Sequence, residues 1–487
     1  MFKFFFLNLI IIFLFLITLI LIEYILLKYN SKTYIIIILF LIYIFPILVI
    51  FVYIFLTKLF FKKLKNKKIK ILKSLINNII NEIKKKQKKS YNQKYTVAIP
   101  LFNLLIKKNG INEINIFFKK KEFKVFSNTK KIFKKIIYDI KYAKYKIEMI
   151  FYIWKQGGMV DKVMKALINA SKRGLCCRII LDSIGCFSFL YSKYPKIMRK
   201  AGIEIVEAFK INVFGVFLRR IDIRQHKKLI LIDNNISYIG SMNMIDNNYY
   251  KNKINKFIDI MIRFEGKISN IMSIVYGFDW EMETGKRIIS KKQYKNIKES
   301  LYHKKNQNFH IISSELIISK KLIHDVFLTA IYSAKKKLVI TTPYFVPTNN
   351  LIKAICDVSL KGVEVIIVLS KYNDSLMVLW ASKYFYNNLL KSGVKIYEFK
   401  KFLLHTKSLL IDDKVSILGT VNFDIRSFCL NSEIILVIED NNFSSIISQI
   451  QKKYIKKSKF VNFIKWKNRS FLCMVIEYFF FLFNPIL

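Results

Sequence analysis

Apolar residues follow three different patterns along this chain, and each predicts a different kind of element. At the start they run unbroken: residues 4–22 and 34–57 hold no charged side chain. Each run is long enough to cross a hydrocarbon layer as a helix. A short connection between them predicts a tight transmembrane hairpin, with Pro46 kinking the second span. The first run exceeds a signal-peptide core and lacks a small-residue cleavage site, so it is expected to stay attached. Farther on, Leu72, Leu75, Ile76, Ile79, Ile80 and Ile83 recur at helical spacing in a lysine-rich stretch. That helix either lies on anionic lipid or packs on the rest of the protein. The tail, residues 471–487, is apolar but short and interrupted by Glu477. It predicts an interfacial membrane contact, with a plain core helix as the alternative.

From about residue 130 the pattern becomes strands alternating with helices, and the order recurs. Lys144-Tyr145-Lys146 leads into a strand over 147–153, and Lys172-Arg173-Gly174 into one over 178–182. Lys200-Ala201-Gly202 then precedes a strand at Ile203. Later, Lys335-Lys336-Lys337 precedes a strand over 338–342, Leu360-Lys361-Gly362 one over 364–369, and Lys391-Ser392-Gly393 one at Val394. A glycine at each helix-to-strand turn fits a left-handed C-terminal cap. The fold class is therefore α/β, a duplicated α/β/α unit with sheets covered by helices. The boundaries are a hairpin at 1–57, a basic connector at 58–129 with a small strand region over 114–125, a first half at 130–290, a second half at 291–470, and the tail at 471–487.

The candidate chemistry repeats with the fold. His226, Lys228 and Asp233 form a His-x-Lys-x-x-x-x-Asp pattern, and His405, Lys407 and Asp412 repeat it 179 residues later. Gly240-Ser241-Met242-Asn243 and Gly419-Thr420-Val421-Asn422 follow at the same interval. Each histidine stands at the start of an apolar strand, where residues two apart share a face. Two histidines, two lysines and two asparagines then converge on one site suited to a phosphate. Lysines and amides stabilise the transition-state charge; one imidazole attacks phosphorus while the other protonates the leaving oxygen. No metal or cofactor is required. Asp233 and Asp412, the remaining members of the motif, are expected in a structural turn or an inter-half salt bridge.

Charge refines this reading. The net charge of +51 suits anionic partners, although Lys, Ile, Asn, Phe and Tyr are inflated together as an AT-rich coding sequence would impose. Thirteen lysines against Glu82 between residues 58 and 89 place that segment, and the domain after it, in the cytoplasm. Cys176, Cys177, Cys186, Cys356, Cys429 and Cys473 show no C-x-x-C pair and are expected as reduced thiols. His303, His310 and His324 carry no motif and read as structural. Arg219, Arg220 and Arg224 are expected as solvated charge, with head-group binding the alternative.

These motifs resemble those of the phospholipase D superfamily, and of long, membrane-anchored bacterial cardiolipin synthases in particular. The resemblance rests on Gln225-His226-Lys227-Lys228, Gly240-Ser241-Met242-Asn243-Met244, Asp279-Trp280-Glu281-Met282-Glu283-Thr284-Gly285 and Thr342-Pro343-Tyr344-Phe345-Val346-Pro347. His405-Thr406-Lys407-Ser408 and the run from Gly419 to Ser427 extend it. Thr420 stands where serine is usual. The resemblance implies phosphatidyl transfer between two phosphatidylglycerol molecules, giving cardiolipin and glycerol. In it His226 is the nucleophile, His405 the acid and base, and Ser241, Asn243, Thr420 and Asn422 bind phosphate. Glu433 orients His405, and Asp259 orients His226. It further implies anionic lipid as the partner, no nucleic acid, and a multi-pass protein of the bacterial inner membrane. A phosphatidylserine synthase or a phospholipase would use the same residues. A tethered nuclease and an inactive basic scaffold are the remaining alternatives.

Overall fold

The structure, a computed structural model, describes residues 123–210, 223–246, 256–289, 309–314 and 322–483. The hairpin, the 72–83 helix, most of the connector, Arg219, Arg220, His303 and the last four residues lie outside them. Among the described residues, no helix is long and apolar enough to cross a membrane.

The alternating pattern becomes two sheets. The first half supplies strands β1 (Phe123–Phe126), β2 (Lys146–Phe151), β3 (Cys176–Asp182), β4 (Glu204–Ala208), β5 (Leu229–Ile232), β6 (Ile236–Gly240), the short β7 (Phe257–Ile258) and β8 (Met261–Glu265). The second supplies β9 (Phe309–Ser313), β10 (Lys337–Thr342), β11 (Phe345–Val346), β12 (Glu364–Ser370), β13 (Lys395–Phe399), β14 (Leu403–Leu404), β15 (Ser408–Ile411), β16 (Val415–Gly419), β17 (Phe423–Asp424), β18 (Ile434–Glu439) and β19 (Ser458–Phe460). Their orders are β1-β8-β6-β5-β2-β3-β4 and β19-β13-β12-β10-β15-β16-β18-β9. Apart from edge strands, these are one topology twice: three parallel strands beside an antiparallel meander.

Several of the helices that cross between strands are amphipathic. Those used below are α1 (Thr129–Lys141), α2 (Met159–Lys172), α3 (Tyr194–Lys200), α4 (Lys267–Thr284), α5 (Leu322–Ser333), α6 (Asn349–Leu360), α7 (Leu376–Tyr384), α8 (Asn441–Lys456) and α9 (Phe471–Phe481). Side chains cap several starts, as where Asp440 Oδ1 accepts from the Phe443 N–H at 2.7 Å before α8. The four turn glycines, Gly174, Gly202, Gly362 and Gly393, all have positive φ.

Strand alternation divides the core into three layers. Ile147, Met149 and Phe151 face α1 and α2 in one outer layer; Leu338 and Ile340 face α5 and α6 in another. The opposite faces merge: Ile150, Leu229, Leu231 and Ile239 join Val339, Leu410 and Leu418 in one apolar cluster, with α4 and α8. The two halves thus share a core, which fixes the strand ends that carry both histidines.

Candidate active site

The Asp of each motif is explained first, because it lies at the far end of its strand from the histidine. Asp233 and Asn234 both have positive φ, as do Asp412 and Asp413. Asn235 N–H bonds Ile232 C=O and Lys414 N–H bonds Ile411 C=O, so each pair forms a hairpin turn with two left-handed residues. The Asp233 carboxylate accepts N–H bonds from Lys144, Tyr145 and Lys146 at 2.7–2.9 Å. Asp412 does the same for Lys335, Lys336 and Lys337, with closest bonds of 2.7 and 2.8 Å. Both aspartates therefore pin the entry to the parallel strand beside the meander of their own half, β2 and β10. Among the described residues they make no inter-half salt bridge, and they stand outside the catalytic cluster, which corrects their place in the motif's chemistry.

The histidines are held differently from the strand position expected. Strand pairing within each half begins only at Leu229 and Ser408. Before that, the chain crosses to the other half: His226 N–H bonds Ser432 C=O, and His405 N–H bonds Ile258 C=O, both at 2.9 Å. Short parallel pairings, β14 with β7 and Gln225 with Ser432, fix the same crossing. Each histidine thus stands one residue from the other half's acid. His226 Nδ1 lies 2.8 Å from Glu433 Oε1, and His405 Nδ1 lies 2.7 Å from Asp259 Oδ1. The pairing expected from the sequence, Glu433 with His405 and Asp259 with His226, is reversed. The meander carries each acid across the shared core to the opposite histidine.

The hydroxyls of the Gly-x-x-Asn turns face these acids. Ser241 Oγ donates to Asp259 Oδ1 at 2.7 Å and accepts from the Ile260 N–H. Thr420 Oγ1 donates to Glu433 Oε2 and accepts from the Ile434 N–H. They were expected on the phosphate; instead they support the carboxylates, which in turn hold the imidazoles. This contact needs the preceding glycines. A Cβ on Gly240 would sit 2.1 Å from Ile260 O, and one on Gly419 2.2 Å from Ile434 O. Asn243 and Asn422 are buried beside the same turns; Asn243 Oδ1 accepts from the Ile153 N–H at 3.3 Å.

The four motif bases share one buried environment. His226, Lys228, His405 and Lys407 are each at most 7% exposed. Lys228 Nζ donates to His226 O at 2.6 Å, and Lys407 Nζ to His405 O at 2.8 Å. Burial pushes Lys228 down to about 7 and Lys407 to about 8, against the pull of Glu433 and Asp259. Burial, then the charges of Lys228, Lys407 and His405, hold His226 well below the usual imidazole range. His405 is lowered by burial and Lys407, but Asp259 opposes this. The acids differ as well. Burial pushes Glu433 up to about 8. For Asp259 burial acts upward too, yet His405 and Lys407 outweigh it and lower the carboxyl.

Several residues around the site have roles that the linear sequence did not assign. The Tyr152 ring stands edge-on to His226 at 4.9 Å, and Phe257 lies 5.2 Å from His405. Lys227 and Asp279 form a fully buried ion pair at 2.7 Å, tying the first motif to α4. Arg224 is not solvated: it is 4% exposed, with Asp182 3.7 Å away. Asp182 also accepts from the Gln225 N–H at 2.9 Å, and its position at the end of a parallel strand was the available clue. His324 bonds Thr348 and His310 is buried in β9. All six cysteines are free thiols, with Cys176 and Cys177 opening β3.

Three comparisons bear on this geometry. The family described as "Cardiolipin synthase, PLD-like domain" matches residues 136–262 and 327–456, once in each half. The chain is 45% identical over 410 residues to cardiolipin synthase A of Serratia proteamaculans (strain 568), covering 84% of this chain and 83% of that one. It is 47% identical over 393 residues to cardiolipin synthase A of Buchnera aphidicola subsp. Acyrthosiphon pisum (strain APS), covering 80% of each. Among solved structures, the phosphatidylserine synthase of Haemophilus influenzae Rd KW20 superposes with a TM-score of 0.58 at 14% identity, over 80% of this chain and 98% of that one. That likeness is one of fold, and the family match in each half shows the fold to be a duplicated phospholipase D-like unit.

Proposed function

The chain belongs to the cardiolipin synthase family of phospholipase D-like enzymes, and on that premise we propose that it joins two phosphatidylglycerol molecules into cardiolipin, releasing glycerol. The carrying observation is the crossed pair of histidines, each bonded through Nδ1 to a carboxyl group of the other half, which leaves one Nε2 on each imidazole for chemistry at a shared phosphorus.

His226, the more firmly neutral imidazole, attacks phosphorus through Nε2. The bond from phosphorus to glycerol oxygen breaks, and that oxygen takes a proton from His405. Asp259 and the negative charge of the bound phosphate both favour the proton on His405 at that moment. The terminal hydroxyl of a second phosphatidylglycerol then gives its proton to His405 and attacks phosphorus. The phosphorus–nitrogen bond breaks and His226 is restored, so the sequence runs in either direction. Lys228, Lys407, Asn243 and Asn422 stabilise the charge of the pentacoordinate state. Excluding water favours the lipid hydroxyl over hydrolysis. The hairpin at 1–57 would anchor the enzyme as a multi-pass protein of the bacterial inner membrane, catalytic domain inward, and keep the acceptor lipid at high local concentration.

The test is incubation of membranes containing the protein with labelled phosphatidylglycerol. Cardiolipin and glycerol in equal amounts, lost with His226→Ala, are expected; phosphatidate alone would mean a hydrolase.

A further inference from the structure

Helix α9 is built with its polarity inverted. Its one buried residue is Glu477, 2% exposed and clamped by Arg469 through bonds of 2.8–3.1 Å. Phe471, Leu472, Val475, Tyr478 and Phe479 point outward instead, with Phe471 76% exposed and Phe479 53%. The helix is seated on α7, where Phe481 stacks on Tyr384 at 3.8 Å. Leu376 and Met377, at the start of α7, continue the exposed apolar surface.

This surface begins at the edge of the catalytic site. Ser370, ending β12, accepts the N–H of Leu404, the residue before His405. Asp374, two residues ahead of Leu376, accepts a hydrogen bond from Tyr344, and its charge acts on Lys407. The first half repeats the arrangement. Asp182, ending β3, binds the N–H of Gln225, the residue before His226, and those of Ile184 and Gly185. Ile184, Phe187 and Tyr191 then follow as exposed apolar residues, the last two with rings 4.5 Å apart. Exposed apolar side chains therefore follow both of the strand ends that bond the residue preceding a motif histidine.

Cations edge both patches. Lys193 and Lys196 are exposed beside Tyr191; Lys465 and Lys467 are exposed just before α9. Lys383 lies 4.1 Å over the Trp380 ring on α7. Aromatic and aliphatic tips within a basic border suit the boundary between anionic head groups and acyl chains.

We propose that these two patches seat the catalytic domain on an anionic lipid leaflet, so that the active site opens onto the membrane surface. The proposal rests on the reading that the substrate is a membrane phospholipid. It supplies what that reading leaves open, namely how an insoluble diacyl substrate reaches histidines buried in a shared core.

The experiment uses the full chain in vesicles of phosphatidylglycerol and phosphatidylethanolamine. Photoreactive benzoyl-phenylalanine replaces Phe187, Leu376, Phe471 or Phe479 in turn. Tyr145, exposed at the opposite end of the sheet, serves as the control. Irradiation is expected to give lipid adducts at the four patch positions and none at Tyr145. Adducts to another part of this chain, to a second copy, or to nothing would each overturn the proposal. Because this readout needs no turnover, lipid adducts without cardiolipin production would sink the functional reading and leave the docking surface standing. Phe471→Glu with Phe479→Glu is further expected to lower turnover of vesicle lipid about tenfold or more. Turnover of dispersed short-chain phosphatidylglycerol should be unchanged; an equal loss on both substrates would contradict interfacial docking.

Discussion

Replacing Asp259 by Asn tests the crossed pairing, because Asp259 belongs to the half that carries His226 but bonds His405. The substitution keeps the shape and removes the charge. At 2.7 Å and 1% exposure, the bond between Asp259 and His405 is a buried, charge-assisted one. Such bonds contribute about 1.5–3 kcal/mol, so proton donation by His405 should slow roughly 10- to 150-fold. The first step with a p-nitrophenyl phosphatidyl ester needs no proton donor, since nitrophenolate departs unaided. Asp259→Asn should therefore release a full, stoichiometric burst of nitrophenol and then turn over slowly, while turnover of phosphatidylglycerol falls by the full factor. Glu433→Gln should instead slow the burst itself, because Glu433 holds His226. Rapid-mixing absorbance resolves the two phases. A lost burst in Asp259→Asn with an intact one in Glu433→Gln would refute the crossed assignment with His226 as nucleophile.

Other consequences are equally specific. Lys227→Met or Asp279→Ala should cost about 3–5 kcal/mol by removing the ion-pair partner of a buried charge, read as a lowered thermal midpoint, whereas Lys227→Met with Asp279→Leu recovers most of the loss. Asp233→Ala and Asp412→Ala should each destabilise by about 1–3 kcal/mol through unpaired N–H groups, with kcat per folded molecule retained. In kcat/KM, the lysine charge is lost as pH rises through about 7 for Lys228 and about 8 for Lys407, so activity declines on that side. Lys407→Arg should remove the loss near 8 and leave the decline near 7, which Lys228 sets. His226 stays neutral until pH falls well below 6.5, which displaces the acid limb downward.

The repeated motif was legible because its spacing is linear: histidine, lysine, turn glycine and asparagine lie within one strand–turn–strand unit in each half. The α/β alternation was legible for the same local reason. Which acid meets which histidine was not, since Glu433 and Asp259 reach their partners through strands that cross between halves. Linear proximity favoured the wrong pairing. Ser241 and Thr420 looked like phosphate ligands because a hydroxyl's direction depends on the strand packed against it, here only 2.1–2.2 Å from a glycine's missing Cβ. Lys227 drew notice only as a member of the first motif, because its partner Asp279 lies 52 residues away on α4. Glu477 looked like an interruption in an apolar tail, yet it faces inward and leaves the apolar side chains outside.

The most direct test of the central claim is to trap the covalent intermediate. The enzyme in vesicles would be mixed rapidly with labelled phosphatidylglycerol and denatured in alkali, where a phosphorus–nitrogen bond survives. Peptide mass spectrometry would then locate the label. A phosphatidyl group on the peptide carrying His226, accumulating in Asp259→Asn and absent from His226→Ala, is the predicted result. Label on His405, or cardiolipin formed with no histidine adduct, would contradict the account.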